Sequence, residues 1–119
     1  MLDANADVKG LNIPDAMKRL MNNASLYTRL MKKFLAGGEL EALKAALESR
    51  DVKDSAVAAH TMKGSAANLS AESIRVIALE LEMSLKASEA VDERHFAMLS
   101  SVEEEYISLR AACKPYLED

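Results

Sequence analysis

The chain has no tryptophan and, in 119 residues, only two phenylalanines, three tyrosines, two prolines, four glycines and one cysteine. Scarce aromatics beside seven methionines and abundant Ala, Leu, Glu and Lys disfavour β-sheet and favour helices. So few Pro and Gly leave long stretches unbroken. Cys113 is alone, so it can form no internal disulfide and no cysteine-based metal cage, and it reads as a small buried hydrophobe. No apolar run approaches the roughly 18 residues needed to span a bilayer, and Met1-Leu2-Asp3-Ala4-Asn5 lacks the basic and apolar regions of a signal peptide. Excess positive charge is missing too. The formal net charge is −4, and short basic clusters such as Lys32-Lys33 carry no interleaved aromatics, so nucleic acid is not an expected partner. These absences point to one soluble, cytoplasmic domain without membrane insertion, acting as a monomer.

What is present is helical periodicity. Residues 1–10 are polar or small without a repeat, and are expected to form a flexible arm or linker before a domain over 11–117. Pro14-Asp15 suits a first helical turn, and Asn22-Asn23 interrupts a short helix of about Pro14 to Met21. Tyr27, Leu30, Met31 and Phe34 follow the amphipathic template up to Gly37-Gly38, and Leu40, Leu43 and Leu47 continue a stripe to Ser49. Asp51 is a fitting N-cap for a helix from Val52 to about Asn68, with Ala58, Ala59, Met62, Ala66 and Leu69 on one side. Ser70 is expected to cap the next helix, from Ala71 to about Ala87, which carries the clearest stripe: Ile74, Ile77, Ala78, Leu81 and Leu85. A last helix follows Asp92, with Leu99, Val102, Tyr106, Leu109 and Cys113 inward and Pro115 as its stop. Long stripes joined by short connections predict an all-α fold, an antiparallel four-helix bundle with an extra short N-terminal helix.

On a helix advancing about 100° per residue, His60 points away from the core stripe, with Met62, Ala66 and Leu69 roughly 120 to 180° around from it. Ala56, Val57, Lys63, Gly64 and Ala67 share its side within about 60°. A lone helical histidine has by itself no special meaning. Gly64 changes that reading, because a glycine in a helix interior costs about 1 kcal/mol relative to alanine, and one placed a turn after His60 offers clearance for an approaching backbone or phosphoryl group. Lys63 is placed to act on the imidazole. A neighbouring cation disfavours protonation of the ring, and an ammonium offsets the charge of on the order of −1.5 to −2 that a phosphoryl group would bring.

His60-Thr61-Met62-Lys63-Gly64-Ser65-Ala66 resembles the H-T-x-K-G-S-A core of the histidine phosphotransfer (HPt) domains, and Asn68-Leu69-Ser70-Ala71 is similar to their N-L-G-A continuation. The Leu26-Tyr27 helix and the Leu81-Glu82 stripe extend the resemblance over about Leu11 to Ala112. The resemblance implies that His60 accepts a phosphoryl group, that Lys63 steadies it, that Gly64 gives a receiver domain room, and that Asn68 orders the turn between helices. It also implies partners: response-regulator receiver domains, which carry the reactive aspartate and Mg²⁺, and a hybrid sensor histidine kinase. The chain is expected to need no cofactor of its own. Ser70 departs from the glycine frequent at its place.

Other candidates are weaker. His95 lacks a following Lys-Gly pair and reads as structural, and Glu103-Glu104-Glu105 reads as a solvated helix face. The two histidines fall on different helices, with no H-E-x-x-H spacing, no Gly-rich phosphate loop and no G-x-S-x-G elbow, so neither a metal site nor autonomous ATP-dependent kinase activity is expected. Met17, Met31, Met62 and Met98 read as core filling. The competing possibility is a helical adaptor that docks receivers without taking phosphate.

Overall fold

The structure is a computed structural model that describes residues 1–118. It contains six helices: α1 (Ile13–Arg19), α2 (Ala24–Leu35), α3 (Gly38–Glu48), α4 (Val52–Asn68), α5 (Glu72–Lys86) and α6 (Glu93–Leu117). Local chemistry sets most boundaries. Asn12, Asn23 and Asp51 accept hydrogen bonds from Asp15 N, Leu26 N and Asp54 N, satisfying amides that the first helical turn leaves without partners. Gly37 stands between α2 and α3 at φ 91°, a left-handed conformation that glycine adopts without steric penalty.

Helices α3 to α6 close a ring of antiparallel neighbours around the core, α2 packs on α6, and α1 packs on α2. Leu43, Leu47, Met62, Ala66, Ile74, Ala78, Leu81, Val102 and Tyr106 are fully buried there, in agreement with the stripes read from the sequence. Long polar links hold the layers in register. Tyr27 Oη donates to the Leu69 carbonyl at 2.8 Å, and Arg110 Nε donates to the Leu35 carbonyl at 2.6 Å. Cys113 is buried, and that burial pushes its thiol up to about 11. Among the described residues no helix is long and apolar enough to cross a membrane.

Three local expectations are corrected. Residues 1–10 are not a loose arm: Leu2 and Val8 are buried, Leu2 N donates to Thr28 Oγ1 at 2.9 Å, and the Gly10 carbonyl accepts from Ser73 N. Two isolated apolar residues have no period to read, yet both join the buried core. Pro115 does not stop α6, which runs to Leu117. It sits in the last turn, where few intrahelical bonds remain to be lost. Ser70 does not cap α5, whose N-cap is Ala71 without a side-chain bond. Instead Ser70 takes φ 52° and closes α4, with Ala71 N bonded to Ala66 O and Ser70 N to Ala67 O. That is the geometry in which glycine is favoured, and a left-handed serine costs about 1 kcal/mol. Its hydroxyl offsets this by donating to Asp15 Oδ2 and accepting from Arg19, which binds α1 to the turn.

Candidate functional site

Helices α4 and α5 form a tight hairpin about Ala71, with His60 eleven residues before it and Glu82 eleven residues after it. With the same rise per residue in both helices, these side chains stand level across the hairpin. His60 Nδ1 lies 2.8 Å from Glu82 Oε2. Lys63 Nζ lies 2.7 Å from Glu82 Oε1, and Lys86 Nζ, one turn beyond Glu82 on α5, lies 2.8 Å from Oε2. The His60 side chain is 64% exposed, whereas that of Glu82 is only 3% exposed. The sequence-derived phase of α4 holds: Ala59, Met62 and Ala66 face the core and His60 faces solvent.

Glu82 is covered by its three partners rather than sunk in hydrocarbon, and those partners decide its charge. The Lys63 ammonium foremost, then that of Lys86, with a smaller contribution from His60, holds the Glu82 carboxyl down at about 2 against the opposing effect of burial. An ionised carboxylate only accepts hydrogen bonds, so the atom of His60 facing it must be Nδ1–H. In the neutral ring this fixes the tautomer and leaves the Nε2 lone pair unprotonated.

The charge in contact with the ring is the Glu82 carboxylate, and the Lys63 ammonium rests on the other oxygen of that carboxylate. Gly64 is exposed, and a Cβ added there would meet nothing within 4 Å, so the helix surface one turn after His60 is open. Val57 is 65% exposed on the same side, beside a shallow groove between α3 and α4 lined by Ala46, Asp54, Val57 and Thr61. Asn68 contributes to the α4–α5 turn through its backbone carbonyl, which accepts from Arg19 at 2.9 Å.

His95 lies apart from this site. It is fully buried, its Nδ1 accepts from Asp92 N at 3.0 Å, and its Nε2 faces Ser84 Oγ at 3.2 Å, so it completes the capping box of α6. Among the described residues, no group of His, Cys, Asp or Glu could hold a metal ion.

Two residues of the cluster, Glu82 and Lys86, have no site role in the sequence reading, where Glu82 enters only as part of the α5 stripe. The available signal was their i, i+4 spacing beside a strongly apolar stripe, together with the equal count of residues on either side of the α4–α5 turn. No curated protein and no solved structure is significantly similar to the chain. A model of the Hpt domain family matches residues 34–112, a segment that contains His60, Lys63, Gly64, Glu82 and Lys86. With most of its length matched and the helical bundle formed, the chain belongs to the Hpt domain family, whose members carry out histidine phosphotransfer in two-component signalling.

Proposed function

We propose that this protein is a phosphorelay intermediate that takes a phosphoryl group on His60 from a receiver-domain aspartate, or from a kinase, and passes it to the aspartate of a response-regulator receiver. The observation that carries the reading is the solvent-facing imidazole whose Nδ1 is held against an ionised carboxylate. The Nε2 lone pair forms the bond to phosphorus. The P–O bond of the donor's aspartyl phosphate breaks, and its electron pair leaves on the donor carboxylate. Nδ1 keeps its proton, so the phosphorylated ring carries a positive charge that Glu82 balances, as a buried carboxylate does for the histidine of a hydrolase triad. No proton has to be found or discarded in either direction, which suits a reversible carrier.

Gly64 and Val57 give the receiver its approach over α4, and Lys63 keeps Glu82 charged. Mg²⁺ and the reactive aspartate belong to the receiver, and phosphate enters from a hybrid sensor kinase upstream. The test is incubation with a phosphorylated receiver domain and Mg²⁺, followed by a search for acid-labile, alkali-stable phosphate. Label is expected on His60 and absent from His60→Gln, which should melt like the parent because the side chain is exposed. Receiver binding without label on the wild-type chain would overturn the reading in favour of an adaptor.

A further inference from the structure

Before any phosphoryl group arrives, the site is not electrically balanced. One carboxylate, Glu82, faces two ammonium groups, and the imidazole is neutral in the state that can react. One positive charge is in surplus, in a chain whose net charge is −4. The surplus is assigned by geometry. Lys63 is only 26% exposed and holds Oε1, whereas Lys86 is 64% exposed, ends the last turn of α5 on a four-carbon stem, and shares Oε2 with the His60 ring. Lys86 Nζ and His60 Nδ1 can be no farther apart than those two 2.8 Å contacts laid end to end. A helix-terminal lysine four residues after a glutamate is accounted for by the helix dipole and an i, i+4 pair. Those causes do not require it to share an oxygen with the reacting histidine.

We infer that Lys86 is a phosphoryl-binding residue, which leaves Glu82 for the phosphoryl oxygens when Nε2 of His60 is phosphorylated. Glu82 keeps this cation beside the ring in the empty state and releases it to an incoming group of about −1.5 to −2 charge. Lys63 stays on Oε1, so Glu82 remains ionised and still balances the phosphorylated ring. The role rests on the phosphotransfer reading and deepens it, naming a cation supplied by α5 opposite the one on α4.

The test uses phosphoramidate, whose P–N bond breaks to release ammonia as the bond to Nε2 forms, so no receiver is needed. The ³¹P resonance of phosphorylated His60 is then titrated with pH. A cation on the phosphoryl oxygens favours their more charged form, so Lys86→Gln should raise the phosphoryl midpoint by about half a pH unit, and Lys86→Arg should restore it. Lys114→Gln, in the last turn of α6, controls for overall charge and should leave the midpoint in place. The same comparison in a Glu82→Gln background separates direct from indirect action. If Lys86 touches the phosphoryl group, Lys86→Gln still shifts the midpoint there; if it only props Glu82, the shift disappears. Loss of the shift in that background, or an equal shift from Lys114→Gln, overturns the inference. A wild-type chain that takes no phosphate on His60 instead overturns the phosphotransfer reading itself.

Discussion

Glutamine at position 82 retains the shape of the side chain and an oxygen able to accept from His60 Nδ1, and removes only the charge. In the native protein the Glu82 carboxyl is held at about 2, against its ordinary 4.5. A depressed native value stabilises the fold above the unfolded-state value, and that stabilisation is lost as pH falls through the native one. The window is therefore from about pH 5 down to about pH 2. The interval corresponds to about 3 kcal/mol. Two of the three partners that cover the carboxylate are largely in solvent, so screening reduces the figure to about 1 to 2 kcal/mol. For a domain of this size that is about 3 to 10 °C in melting temperature. Thermal or urea melts of both proteins from pH 7 to pH 2 measure it directly. The wild type should exceed Glu82→Gln by that margin at neutral pH, and the two curves should converge near pH 2. Asp15 and Asp92, whose carboxyls are also held low, titrate in both proteins and cancel in the difference. Curves that run parallel over the whole range would show that the ion pairs around Glu82 add nothing to the fold, and the account of its ionisation would fail.

His95→Gln should lower stability by about 1 to 3 kcal/mol, because the change removes the buried acceptor for Asp92 N–H, yet leave phosphate labelling of His60 at the wild-type level; chemical melts and labelling check the two halves. Gly64→Ala should raise stability by up to about 1 kcal/mol, since its Cβ enters open space on a helical backbone. Gly64→Leu should slow exchange with a phosphorylated receiver far more than Lys63→Ala does, while labelling by phosphoramidate continues. Exchange by a folded Gly64→Leu protein at the wild-type rate would mean that the receiver does not approach over this face.

Much of this molecule was open to reading residue by residue. Asp51 and Asp92 announced helix starts because a cap is a contact over two or three residues, and the stripe of Ile74, Ala78, Leu81 and Leu85 announced a buried face because helical periodicity is local. The outward phase of His60, and Gly64 open beside it, followed from the same angular arithmetic. Leu2, Val8 and Ser70 escaped it, since the first segment is tied down by residues far along the chain, Thr28 at Leu2 and Ser73 at Gly10, and the turn by Asp15 and Arg19. Glu82 is the sharpest case. The sequence by itself determined the helices, the inward stripes and the reactive face of α4. Only the pairing of α4 with α5 decided that a glutamate at the edge of an apolar stripe would lie under His60, Lys63 and Lys86, because which flank of a helix is covered depends on the register of its neighbour, and register is set across the hairpin rather than within either helix.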